Sequence, residues 1–166
     1  MNIYNNYAID FFNKYNIQGL TLSPELNFAQ VEKIANVSNV PLECLVQGNL
    51  ELMVSEYCTI GSYLGNLDSG KCTQPCIHKN YYLMDRKDEY FPIVTDQYCR
   101  MHVLNGKELS MLPHVSKFKE NNIASLRIEA KYGDINKMAQ LINLYRKLLD
   151  GNIVDEIIIN KYEQDI

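Results

Sequence analysis

The sequence predicts an α/β fold in which parallel β-α units, from a sheet or a barrel, flank a cysteine-rich, strand-containing insertion. Three observations predict it. Up to Val46, apolar residues alternate between helical spacing and short buried runs joined by short links. That rhythm breaks at Leu50, and four of the five cysteines, Cys58, Cys72, Cys76 and Cys99, fall before it returns. It resumes near Ser110 with helix, strand and helix.

Each element has a local reason. Ile3, Tyr7, Phe11 and Phe12 recur at helical spacing and predict a helix from Ile3 to Tyr15. Gly19 introduces a short buried strand, Leu20 to Leu22. Ser23 before Pro24 predicts a helix start, because the hydroxyl can cap a free amide and proline at the first helical position loses no hydrogen bond. Leu26, Phe28, Val31, Ile34 and Ala35 give that helix one apolar face, ending near Asn36. A strand follows at Val40 to Val46, closed by Gly48.

After Leu50 comes a loop with Gly61, Gly65 and Gly70, read as a ligand-holding excursion. Short strands are predicted at Tyr81 to Asp85, Tyr90 to Thr95 and Arg100 to Leu104, with Asp85 to Asp88 as the turn between the first two. A helix at Ser110 to Asn121, a strand at Ser125 to Ala130 and a helix at Ile135 to Leu149 complete the pattern. The last of these helices carries Met138, Leu141, Ile142, Tyr145 and Leu149 on one face and stops at Gly151. Ile153 to Ile159 reads as one more strand or as a tail.

The chain has 166 residues, 46% of them apolar, which suits a single domain with a real core. Within it the pattern divides into β-α units at 1–50, the cysteine-rich insertion at 51–109, a β-α unit at 110–150 and a tail at 151–166. No stretch has the character of a signal peptide or a membrane span, so a soluble, cytoplasmic protein without membrane contact is expected. In that compartment thiols stay reduced, which favours metal or redox chemistry over disulfides. The fifth cysteine, Cys44, sits in an apolar strand and is expected to be a buried core thiol. A net charge of −4 gives no general attraction to nucleic acid, so RNA contact requires a local basic patch or another part of a longer protein.

Three readings of the four clustered cysteines stand side by side: an iron–sulfur cluster, a structural zinc ion and unligated buried thiols. Cys72 and Cys76 form C-x-x-x-C rather than the two-residue knuckle usual for zinc. No H-E-x-x-H motif or serine nucleophile elbow is present, and His78, His102 and His114 lie far apart in sequence. His102 and His114 read as surface or packing residues. Arg86, Arg100, Arg127 and Lys131 are candidates for an anion site or, more simply, solvated charges.

The run from Glu43 through Gly48 to Cys58, the segment Lys71 to Cys76, the segment Val103 to Leu109, and Ser125 to Glu129 followed by Tyr145-Arg146 together resemble the peptidase U32, or collagenase-like, family. The match keeps its order over most of Gly19 to Asp150. The resemblance implies the last β-α units of a TIM-type barrel, hence a partial barrel, and a C-terminal part of a larger catalytic domain. It implies either proteolysis or oxygen-independent hydroxylation of RNA pyrimidines or another aromatic ring, with prephenate supplying the oxygen in the RNA enzymes. For the hydroxylases it implies a [4Fe–4S] cluster on four cysteines.

The common family pattern begins with a cysteine seven residues before the match to Cys58, where this chain has Glu51. The expected ligand set is therefore Cys58, Cys72, Cys76 and Cys99, with Glu51 as the alternative fourth ligand and zinc as the alternative metal. Glu129 ends a predicted barrel strand and matches a family glutamate, which makes it the catalytic candidate, against a plain ion pair with Arg127. Gln47 stands where many relatives have histidine, and Ala130-Lys131 replaces a Gly-Arg pair. The first functional expectation is a cluster-bearing module for RNA pyrimidine hydroxylation; the alternatives are a peptidase-type hydrolase with structural cysteines or zinc and a non-catalytic remnant. The expected partners are a missing N-terminal barrel half or a second copy, and RNA through the intact protein.

Overall fold

A computed structural model describes residues 3–132, 134–155, 157–159 and 162. The elements run α1 (Asn6–Asn13), β1 (Leu20–Thr21), α2 (Phe28–Ala35), β2 (Leu42–Gly48), β3 (Glu51–Ser55), α3 (Thr59–Tyr63), β4 (Tyr81–Met84), β5 (Tyr90–Thr95), β6 (Met101–Leu104), β7 (Leu109–Ser110), α4 (Val115–Glu120), β8 (Ser125–Ile128) and α5 (Ile135–Leu149). The fold is mixed α/β with two sheets, neither closed into a barrel. The chain divides into two compact units, residues 1–48 with 109–166, and residues 49–108. No described helix is long and apolar enough to cross a membrane.

In the first unit β2 is the central strand. It pairs in parallel with β1 and β8, and near its end antiparallel with β7. The parallel arrangement puts Thr21, Glu43 and Ser125 at one level, where the Glu43 carboxylate accepts from Thr21 Oγ1 at 2.8 Å and from Ser125 Oγ at 3.0 Å. Leu42, Cys44 and Val46, at period two, are buried in a core with Ile9, Val31, Ile34, Val115, Phe118, Leu141 and Leu144. A buried hydroxyl closes this core. Tyr145 Oη lies 2.8 Å from Val46 O and 3.0 Å from Gln47 Oε1, which share its one proton, and it accepts from Met111 N at 3.2 Å.

Several helix boundaries differ from expectation, each because another residue caps better. α1 starts at Asn6, since Asn5 Oδ1 accepts from Ala8 N at 3.0 Å; Ile3 instead bridges Leu22 in parallel. α2 starts at Phe28, not at Pro24. Asn27 and Gln30 form a reciprocal capping box that satisfies two free amides at once, whereas Ser23 Oγ only receives the Glu25 amide at 3.4 Å. Ser110 belongs to β7, and a turn of 3₁₀ helix, Leu112–His114, precedes the shortened α4.

α5 has the expected bounds, capped by Asp134, but its buried face is Leu141, Leu144 and Tyr145, with Ile142 turned outward. Residues 157–159 are helical rather than a strand, because Asp155 Oδ1 accepts from Ile157 N at 3.0 Å and starts a turn; Glu156 and Asn160 of that segment lie outside the described residues.

The second unit is an antiparallel sheet in the order β3-β6-β5-β4. Asp85 Oδ1 accepts from Lys87 N at 2.7 Å and Glu89 N at 3.0 Å, and Asp88 takes φ +60°, which closes the β4-β5 hairpin at the expected turn. β3 was not anticipated, since its outward Leu52, Met53 and Val54 break the alternation of a half-buried strand. Ile60, Ile93, Met101 and Val103 form a small core against which Cys58, Cys76, Tyr81 and Phe91 pack.

Two outcomes follow from the larger core. Tyr145→Phe removes the hydroxyl proton that Val46 O and Gln47 Oε1 share, while Met111 N keeps its bond to Val46 O at 3.0 Å, so urea unfolding should show a loss of about 0.5–1.5 kcal/mol. Burial first, and then the Glu43 charge, push the Cys44 thiol up to about 11 from its ordinary 9.0. A folded-state value above the unfolded one means this contribution is intact below pH 9 and is lost as pH rises toward 11. Denaturation midpoints measured across that range should fall less for Cys44→Ala than for the parent, once both are normalised to pH 8.

Candidate functional site

The second unit gathers the clustered cysteines around one cavity. Cys58 is the N-cap of α3, and its sulfur accepts from Gly61 N at 3.3 Å. The chain then turns back, tied by Thr73 N donating to Gly65 O at 2.8 Å. Cys72 Sγ accepts from Gln74 N at 3.3 Å, and Gln74, at φ +55°, turns the backbone so that the 3₁₀ helix Pro75–Ile77 carries Cys76. Two glycines make room for the sulfurs. A Cβ on Gly65 would stand 2.5 Å from Cys72 Sγ, and one on Gly61 would stand 3.4 Å from Cys72 Sγ and 3.6 Å from Cys58 Sγ.

Cys58, Cys72, Cys76 and Cys99 all line a cavity of about 250 Å³, with Leu67 and Ile77 on its apolar side and Asp96 on its polar side. All five cysteines are free thiols, and Cys44 is buried in the other unit. Among the described residues, no three His, Cys, Asp or Glu side chains are drawn together tightly enough to hold a single metal ion. The donor set is soft, and backbone amides already donate to two of its sulfurs. Such thiols suit zinc and iron–sulfur clusters alike.

Beside the cavity Asp96 organises the turn that carries Cys99. Its Oδ1 accepts from Tyr98 N at 2.9 Å and Arg100 N at 3.0 Å, and its Oδ2 accepts from Arg100 Nε at 2.7 Å. Desolvation works against ionisation of this carboxyl, but the hydrogen bonds from Arg100 and Tyr98, with the His102 ring close by, outweigh it and hold it down to about 2. Arg100 is in turn held protonated more strongly than an ordinary guanidinium by the Asp96 hydrogen bond and charge. Glu51, the alternative ligand, does not line the cavity; its Oε2 lies 2.6 Å from Nδ1 of His102. His102 is thus neither a loose surface group nor simple packing. Its ring, only 14% exposed, stands between two carboxylates, with Nε2 at 3.4 Å from Asp96 Oδ2.

The first unit presents its own polar cluster at the end of β2. Gln47 is fully buried against Tyr145, and Glu129 N donates to Gln47 O at 2.9 Å. A Cβ on Gly48, at φ +138°, would meet the Glu129 carbonyl at 2.8 Å, so glycine allows β2 and the residue after β8 to approach. The Glu129 carboxylate is paired with Arg127 at 2.8 Å. Of the four cations considered for an anion site, Arg100 and Arg127 are therefore committed to carboxylates.

Sequence reasoning missed Asp96 and the Glu51–His102 pair. The one signal for Asp96 was its spacing of four from Arg100; the Glu51–His102 contact joins residues far apart in sequence through the β3-β6 pairing, which was itself unforeseen.

The profile of peptidase family U32 matches residues 1–166. The chain is similar to the tRNA hydroxylation protein P1 of Bacillus subtilis (strain 168), with 21% identity over 150 residues, which are 89% of this chain and 35% of that protein. It is also similar to the 23S rRNA 5-hydroxycytidine C2501 synthase of Escherichia coli (strain K12), with 26% identity over 139 residues, 82% of this chain and 20% of that enzyme. The chain thus spans about a third and a fifth of the lengths of these curated relatives. No solved structure matches it. Because the profile covers the chain from end to end, the protein belongs to peptidase family U32.

Proposed function

We propose that this chain is the cluster-bearing part of a U32 enzyme that hydroxylates pyrimidines in RNA without molecular oxygen. Cys58, Cys72, Cys76 and Cys99 hold a [4Fe–4S] cluster in this reading. The observation that carries it is the cavity itself, lined by these four thiols out of the five in the chain. Zinc on the same thiols is the second reading, since thiolates suit zinc as well. When bound, a cluster supplies one-electron chemistry or a Lewis-acidic iron. The chain's own contribution is to fix the thiolates, donate amide hydrogen bonds to them from Gly61 and Gln74, and line the cavity beside them with Leu67 and Ile77.

The substrate class is taken from the two relatives, whose names specify tRNA hydroxylation and a 23S rRNA hydroxycytidine. Glu129, just beyond the end of a parallel strand, is the carboxylate offered to the base, with Arg127 setting its orientation. β1, β2 and β8 are, in this reading, the parallel strands of a TIM-type barrel, and chain lying outside this sequence or a second copy completes it. The outer edge of β8 supports this, since β8 pairs only with β2 among the described strands. The peptidase alternative has less behind it: the ring of His102 lies between Glu51 and Asp96 rather than against a nucleophile.

Anaerobic purification of the protein, with iron, sulfide and zinc analysis, tests the reading. Iron and sulfide should bind in equal amounts, be lost in Cys58→Ser, Cys72→Ser, Cys76→Ser and Cys99→Ser, and be kept in Cys44→Ser. Deletion of the full gene should remove a hydroxylated pyrimidine from cellular RNA, while this chain alone should not restore it. Stoichiometric zinc without sulfide, together with peptide cleavage by the pure protein, would reverse the assignment.

A further inference from the structure

We propose that Glu51, His102 and Asp96 form a positioning relay that fixes the turn carrying Cys99 and so sets the fourth thiolate of the cavity. The proposal rests on the reading of that cavity as a cluster site. Cys99 is the cysteine that most needs such help. Cys58, Cys72 and Cys76 are half-buried, and amides donate to the sulfurs of the first two; Cys99 is exposed and sits on backbone at φ +59°. For a residue with a Cβ that conformation is strained, so its surroundings must impose it.

Asp96 imposes it. Its backbone amide donates to Arg100 O at 3.2 Å, its carbonyl receives the Cys99 amide at 3.0 Å, and its carboxylate takes the amides of Tyr98 and Arg100 together with the Arg100 guanidinium. The turn is closed at both ends and wrapped around one acidic side chain. Arg100 also lies over the Tyr98 ring, 5.3 Å from its centroid, so the residues on either side of Cys99 hold each other.

His102 ties this turn to the sheet. It stands on β6 opposite Val54 of β3 and Val94 of β5, in the interior of the antiparallel pairing. Because a carboxylate only accepts, Nδ1 donates to Glu51 Oε2 at 2.6 Å, and that bond sets the ring plane. Nε2 is buried, makes no hydrogen bond among the described residues, and faces Asp96 Oδ2 at 3.4 Å. A strand-borne imidazole fixed by Glu51 and packed against Asp96 braces the turn that carries the exposed thiol against the stiff sheet. The relay residues act through the turn that carries Cys99, so they are positioning residues.

The test has two stages on the purified protein. In the metal-free, reduced state, maleimide alkylation is followed at each cysteine by peptide mass spectrometry for the parent, Asp96→Asn, His102→Phe and Glu51→Gln. Alkylation at Cys99 should accelerate several-fold in Asp96→Asn and His102→Phe and stay near parental in Glu51→Gln, which still accepts from Nδ1. Rates at Cys58 and Cys76 and the far-ultraviolet circular dichroism should not change. In the second stage, protein reconstituted anaerobically with iron and sulfide is titrated with ferricyanide, and Asp96→Asn and His102→Phe should give the paramagnetic [3Fe–4S] signal earlier than the parent.

An unchanged Cys99 rate in both variants overturns the relay, as does an equal acceleration at all four cysteines, which marks a merely structural role. Should His102→Phe fail to fold, Asp96→Asn carries the same comparison. If Cys99 accelerates selectively but the parent binds no iron and sulfide, the relay stands and the cluster reading falls.

Discussion

The sulfur of Cys72 occupies the space that a side chain on Gly65 would need, and it lies close beside Gly61 as well. This close packing of sulfur against backbone is the constraint on which the second unit depends. It fixes the loop after α3 against that helix, with the Thr73 amide bonded to Gly65 O, and it brings Cys58 and Cys72 to the same side of Gly61. From there the backbone at Gln74 sets the direction of the short helix that carries Cys76. The unit has only a small apolar core, so covalent or metal cross-links among these segments add most where burial contributes least.

The other unit solves a different problem. Parallel strands need both faces covered, and β2 has its buried side chains packed among α1, α2, α4 and α5. A tyrosine hydroxyl then donates to polar groups at the strand's buried end, Gln47 Oε1 and Val46 O, the second of which also accepts from Met111 N at 3.0 Å. The same strand end brings Gly48 against Glu129, so the parallel pairing that builds the core also places the one carboxylate that resembles a family feature.

Much of this was legible in the sequence, and the failures share a cause. The parallel strands around Leu42 and Ser125, the Asp85 hairpin and the long final helix carry strong local signals, periodicity bounded by capping or turn residues. The helix starts at Asn6 and Phe28 were misplaced because the caps that decide them are the single bond of Asn5 to the Ala8 amide and the reciprocal bonds of Asn27 and Gln30. β3 was invisible because its apolar residues face outward, and with it went the contact of Glu51 to His102. The cysteines were conspicuous by spacing alone. What spacing could not reveal is that the residue expected as a spare ligand is bonded to an imidazole, and that the Cys99 amide is bonded to Asp96 O.

X-ray absorption of the anaerobically purified protein tests the central claim most directly, because it reports which element sits among the thiols and what surrounds it. The account predicts an iron edge, a first shell of sulfur at about 2.3 Å, comparable to zinc–thiolate bonds, and a second shell of iron. A zinc edge with a single sulfur shell, or no metal edge above background in protein whose cysteines remain reduced, would contradict it.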